Sequence, residues 1–147
     1  MNVKRIALVA QDGMKENILE LVEEYKPFFS NSYIVSTFGT AEYLQKNIKI
    51  IANDVVNSGS DGGDISIANM VLEDNIDIVI FLLNPMKHFP HYKDAHALMW
   101  TCNIKNVPLA TNVKTANLML SSLIYSVDKK ERLLTLPHLR TAHEAFA

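Results

Sequence analysis

Between Ile76 and Leu83 every residue except Asp77 is apolar. A run that is apolar at successive positions, rather than at alternate ones, has no face to leave in water. It is the pattern of a parallel strand covered on both sides, and parallel strands need long crossovers that usually contain a helix. The rest of the chain supplies them. Ile6–Ala10 and Ser32–Ser36 read as further strands. The helix pattern between them, Met14 to Tyr25, puts Met14, Ile18, Leu21, Val22 and Tyr25 on one face before Pro27 closes it. Thr40–Lys46 reads as a short helix, Ile48–Ala52 as a third strand able to sit at an edge, and Ile65–Leu72 as a helix. Beyond the apolar run come Asp94–Ile104 as helix, Val107–Ala110 as strand and Thr115–Ile124 as helix. The expected fold is α/β: three layers, α/β/α, around a mainly parallel five-stranded sheet of flavodoxin-like type.

The chain of 147 residues is read as one α/β domain over 1–126, followed by a charged peripheral tail over 127–147 with scattered leucines. A net charge of −2 provides no basic patch for nucleic acid and no polybasic membrane signal. The longest apolar run is too short to span a bilayer, and Met1–Arg5 leads into a strand without a signal-peptide core. A cytoplasmic protein is therefore expected. The single cysteine, Cys102, cannot pair internally and reads as a buried thiol in a helix. No second cysteine or His-x-x-x-His pair suggests a Cys/His metal site, and no G-x-G-x-x-G suggests a dinucleotide, so neither of these is expected.

Chemistry concentrates in the loop Ser58–Asp64. Adjacent Gly62 and Gly63 let backbone approach a ligand, and the N–H groups of the helix that follows suit an anion. Asp64 then places a carboxylate beside a site made for negative charge. In such sheets ligands bind beyond the carboxyl ends of the strands. That rule gathers Asp12 and Lys15, Thr37 and Thr40, Ser58, Gly59 and Asp64, then Asn84, His91 and Asp94, and Thr111 and Asn112. The set fits a small anionic substrate that undergoes proton transfer. Each member also has an ordinary structural reading. Lys15 could be a solvated lysine among Glu16, Glu20 and Glu24; Thr37, Thr40 and Asp94 could be helix caps; Ser58 and Asp61 could be turn residues. His91 could be a surface histidine, as His88, His96, His138 and His143 are read to be. Phe38, Trp100, Met70, Met99 and Met119 read as packing residues.

These blocks together resemble the methylglyoxal synthase family from about Lys4 to Tyr125: Ile6–Ala10 with Asp12 and Lys15, Gly62–Asp64, Asn84-Pro85, Pro90-His91 with Asp94, and Pro108–Val113. The resemblance implies a methylglyoxal-synthase-like fold that also serves as a regulatory domain in carbamoyl-phosphate synthetase. It implies conversion of dihydroxyacetone phosphate to methylglyoxal and inorganic phosphate without metal or cofactor, in a homohexamer. It implies Asp64 as the base for the C3 proton, His91 assisting at the substrate oxygens, and Asp94 as a second carboxylate. The phosphate site it implies comprises Asp12, Lys15, Thr37, Gly39, Thr40, Ser58 and Gly59, with Gln11, Gly63 and Asn84 as candidates to line the site.

The chain departs from the family at several of these positions. Gln11 stands where a histidine is usual, Phe38-Gly39 interrupts a run of threonine and glycine, Asn84 replaces an aspartate, and Trp100 replaces an arginine. Loss of charge at position 84 is expected to ease anion binding and make Asp64 less basic, so that Asn84→Asp raises turnover. The alternative reading is a catalytically weakened module that binds a phospho-ligand.

Overall fold

A computed structural model of the protein describes residues 3–135. Five strands, β1 (Arg5–Ala10), β2 (Tyr33–Thr37), β3 (Asp54–Val56), β4 (Ile78–Leu82) and β5 (Leu109–Ala110), form one sheet in which every pairing is parallel. Six helices connect and flank them: α1 (Lys15–Glu24), α2 (Lys26–Ser30), α3 (Phe38–Ile48), α4 (Gly63–Leu72), α5 (Tyr92–Lys105) and α6 (Val113–Thr135). All five residues of β4 are buried, as its unbroken apolar run requires. Asp77 lies just before that strand, where Arg5 donates to it from its backbone N (2.8 Å) and its Nη2 (3.1 Å).

The strand order is β3-β2-β1-β4-β5. Right-handed crossovers then dictate the layers. The chain steps outward from β1 to β2 to β3 and puts α1 and α3 on one face. It returns to β4 and β5 in the opposite direction and puts α4 and α5 on the other. The core follows this division. Ile6, Leu8, Ile34, Ile80 and Leu82 pack with Ile18, Val22, Phe29, Leu44 and, from α6, Leu120. Ala7, Val9, Val35, Val79 and Phe81 pack with Ile67, Val71, Leu98 and Cys102. The three-layer, five-stranded architecture is as expected. Flavodoxin's own order, 2-1-3-4-5, is not. Here β3 continues outward past β2, so the order reverses between β1 and β4.

One expected element is wrong. Ile48–Ala52 is no strand: α3 runs on to Ile48 and ends on Lys49, whose φ of 59° is left-handed. Ile48 and Ile50 alternate because both are buried beneath the helix end, which mimics strand periodicity. The strand is Asp54–Val56, short and at the sheet edge, with too few apolar residues to announce itself. Elsewhere the boundaries shift in both directions: α3, α4, α5 and α6 are longer than expected, whereas α1, β4 and β5 are shorter. Pro27 begins α2 rather than merely ending α1, in the first turn where its missing N–H costs nothing. Helix α6 continues to Thr135, so position 126 falls within it; residues 136–147 of the expected tail lie outside the described residues. No helix among the described residues is long and apolar enough to cross a membrane.

The entry to α4 is tightly built. Gly63 donates to the Ser58 carbonyl at 3.0 Å, and a Cβ there would lie 1.9 Å from the Asn57 carbonyl oxygen. Backbone cannot yield as a flexible side chain can. Gly63→Ala is therefore predicted to destabilise the fold by about 1–3 kcal/mol or more, read as a lower urea midpoint at unchanged slope. A midpoint equal to wild type would contradict this packing.

Candidate active site

At the carboxyl ends of the strands, Asp64 enters at the second residue of α4 and is 1% exposed. The glycine-bounded turn before it, with Gly62 at φ 87°, brings the chain in so steeply that this carboxylate faces inward. Its Oδ1 has no hydrogen-bond partner among the described residues. A buried carboxylate without donors is costly, and its cost falls on the ionised form. Burial accordingly pushes the Asp64 carboxyl above its ordinary range; His91 pulls it down, Asp94 pushes it up, and Lys15 pulls it down. Gly59 lies against the pair: a Cβ there would stand 3.2 Å from Asp64 Oδ1 and 3.3 Å from His91 Nε2. The absence of a side chain at position 59 keeps the space between carboxylate and imidazole open. His91 is the N-cap of α5, and Asp94 lies in its first turn with its N–H donating to the His91 carbonyl at 3.0 Å.

On the other side stands Lys15, the first residue of α1 and largely withdrawn from solvent. Its Nζ donates to the Ala10 carbonyl and to Thr40 Oγ1 (3.2 Å). Thr40 is fully buried; it also accepts from Ala10 N (3.1 Å) and from Thr37 Oγ1 (3.3 Å). Burial lowers the Lys15 pKa, while Asp12 and Asp64 draw it back up. Half-buried and bonded to two groups of the fold, Lys15 is not the solvated lysine of the alternative reading. Thr37 is the N-cap of α3, yet its hydroxyl makes no capping bond and turns to Thr40 instead. Gly39 leaves room beside the lysine, with its absent Cβ position 3.7 Å from Lys15 Cε.

Not every expected residue joins the cluster through its side chain. The Ser58 hydroxyl donates to Asp61 Oδ2 (2.9 Å) within its own turn, so the turn reading holds for it. Asp12 is exposed; its carboxylate acts on Lys15 only through charge, and the hydrogen bond it makes is through its carbonyl. Gln11 Oε1 accepts from Asn84 N (2.8 Å), and Asn84 Nδ2 donates to the Asp12 carbonyl (2.8 Å), joining the β1–α1 and β4–α5 loops. Asn112 Oδ1 accepts from Thr115 N (2.9 Å), an ordinary cap of α6. Phe38 and Trp100 are 58% and 63% exposed and are not packing residues; Met70, Met99 and Met119 do pack on the core. The Cys102 thiol is buried and pushed up to about 11, and is inert. Sequence reasoning missed the Ala10 backbone and Gly13. The first has no side-chain signal; the second matters through its φ of 88° and its fit against Asn84, which a lone glycine does not announce.

Residues 17–111 match the family model described as MGS-like domain. The chain is 35% identical over 129 residues to the methylglyoxal synthase of Ralstonia nicotianae, covering 87% of this chain and 95% of that one. It is 37% identical over 123 residues to the methylglyoxal synthase of Cupriavidus pinatubonensis, covering 84% and 94%. The crystal structure of the methylglyoxal synthase of Elizabethkingia anophelis superposes with a TM-score of 0.76 at 32% identity, over 81% of this chain and 78% of that one.

The raised Asp64 carboxyl has a consequence for stability. A folded-state pKa above the unfolded value costs nothing below the unfolded pKa of about 4 and destabilises as pH rises through the folded value. Asp64→Asn removes that cost. At neutral pH the variant is predicted to melt above the wild type, with the gap closing toward pH 4. A variant that melts lower at neutral pH would show that the carboxylate is held rather than strained.

Proposed function

This chain belongs to the methylglyoxal synthase family, and from there we propose that it is a carbon–oxygen lyase releasing methylglyoxal and inorganic phosphate from dihydroxyacetone phosphate. The observation that carries the reading is Asp64: a buried carboxylate without a donor on Oδ1, facing an imidazole and close to an ammonium. In this reading Asp64 takes a proton from C3, next to the substrate carbonyl. Electron density moves onto the carbonyl oxygen, where His91 donates and limits the charge that develops. The enediolate then collapses, the C–O bond to phosphate breaks, and the enol left behind becomes methylglyoxal.

Lys15 supplies the charge for the departing phosphate. Thr40 is occupied by its own neighbours, so its part is to hold Lys15; the half-buried backbone at Gly39 and Gly59 completes the clamp, joined by the Thr37 hydroxyl once it turns from Thr40 to the phosphate. Asp94, the second carboxylate, raises the basicity of Asp64. The family reading also carries a homo-oligomer, a hexamer, and the exposed Trp100, Ile104, Leu118 and Tyr125 support self-association. A monomer at micromolar concentration in sedimentation equilibrium would overturn that part.

Asp64→Asn is expected to lower methylglyoxal release by about 10²–10⁴-fold and to abolish solvent exchange at C3, because an amide of the same size cannot accept the proton. Activity within a few-fold of wild type would remove Asp64 from the role. Phosphate at a hundred times its dissociation constant should stabilise the free protein by about 2.7 kcal/mol, and Lys15→Ala should remove most of that shift. Phosphate protection without any methylglyoxal from the wild type would favour the binding module instead.

A further inference from the structure

Asn84 stands on the loop between β4 and α5, at the point where the strand order reverses. Its amide is spoken for at both ends. Nδ2 donates to the Asp12 carbonyl (2.8 Å), and Oδ1 accepts from Met86 N (3.0 Å). Each partner can play only one part, a carbonyl accepting and an N–H donating, so the orientation of the amide is fixed by them. The backbone N of Asn84 in turn donates to Gln11 Oε1 (2.8 Å). Gly13 completes the fit. Its φ is 88°, and a Cβ there would lie 2.6 Å from Asn84 Nδ2.

The two segments joined in this way are those that carry the chemistry. Asp12 and Gly13 lead directly into Lys15, and the loop from Asn84 leads to His91 and Asp94. We propose that Asn84, with Gln11 and Gly13, is a neutral positioning staple that sets Lys15 against the Asp64–His91 pair, and that its amide cannot be exchanged for a carboxylate. The inference rests on the lyase reading only for what is being positioned. It reverses the expectation that Asn84→Asp raises turnover. An ionised carboxylate could keep the Met86 bond, but its other oxygen would face the Asp12 carbonyl with no proton between them. Only the protonated acid restores the missing donor.

That requirement gives a test that a simple packing role would not pass. The new carboxyl of Asn84→Asp should have its folded pKa raised, because the fold binds its protonated form better. The defect is then absent below the unfolded pKa of about 4 and grows as pH rises through the folded value. Asn84→Ala, lacking any donor, should be impaired at every pH. The titratable groups on the joined segments are Asp12, Lys15, Lys87, His88, His91, Tyr92, Lys93 and Asp94; the wild type carries all of them, so comparison with it at each pH cancels their titration.

Inorganic phosphate binding and thermal melting, on the full chain, read the outcome. Near neutral pH both variants should bind phosphate about five- to tenfold more weakly than wild type, one net hydrogen bond's worth. On acidification Asn84→Asp should return to within about twofold of wild type in affinity and close its melting deficit, while Asn84→Ala does neither. Wild-type-like binding and melting by Asn84→Asp near neutral pH would overturn the staple. Equal losses for both variants at every pH would overturn it too. Neither readout needs turnover, so a wild type that makes no methylglyoxal counts against the lyase reading alone. If the wild type does not bind phosphate, the melting series decides.

Discussion

The desolvation of Asp64 is the constraint around which the neighbouring structure is arranged. An ionised carboxylate removed from water and given no donor on Oδ1 would ordinarily be lost to protonation or to movement. Lys15 and His91, each of which pulls the carboxyl down, oppose that tendency, and both stand at other strand ends. Neither reaches the carboxylate to form a hydrogen bond among the described residues, so the charge is steadied without being quenched. A donor on Asp64 would make it a better-satisfied structural group and a poorer base. The backbone carries the rest of the load: Gly63 fits under the Asn57 carbonyl, and Gly59 leaves its Cβ position empty between acid and imidazole.

Sheet topology explains why these groups meet. With order β3-β2-β1-β4-β5 the reversal lies between β1 and β4, and a crevice opens where the loops from these two strands diverge. Lys15 comes from the loop after β1, the threonines from the end of β2, Asp64 from the turn after β3, and His91 with Asp94 from the loop after β4. The site is thus a product of four separate connections, each fixed by a local bond. The Thr40 hydroxyl between Ala10 and Lys15 ties α3 to β1, and the Asn84 amide ties the β4 loop to the β1 loop.

Much of this was legible in the sequence because it depends on patterns that burial imposes. The unbroken apolar run of β4, the three- and four-residue apolar spacing of α1 and the glycine-bounded loop before Asp64 each have one simple physical solution. What was not legible depended on groups with no side-chain signature. The Ala10 carbonyl that receives Lys15 is backbone. Strand β3 contributes only three residues at an edge, while Ile48 and Ile50, buried at a helix end, copy strand alternation. Asn84 was visible as a departure from the family, yet the two hydrogen bonds of its amide were not. Its meaning lies in hydrogen-bond direction: the Asp12 carbonyl needs a donor, which no sequence pattern records. Trp100 and Phe38 were read as packing because they are large and apolar, and both are exposed.

The account turns on Asp64 being a strained carboxylate rather than a comfortable one, and its titration in the free protein measures that directly. Following the side-chain carboxyl carbon of Asp64 by NMR, with Asp64→Asn to assign the signal, gives its folded-state pKa without any substrate. The account predicts a midpoint above the ordinary aspartate value of about 3.9, and a further rise when Lys15 is replaced by alanine and its opposing charge is lost. A midpoint at or below the ordinary value, unmoved by Lys15→Ala, would mean that the carboxylate is hydrated or hydrogen-bonded in solution, and the central claim would fail.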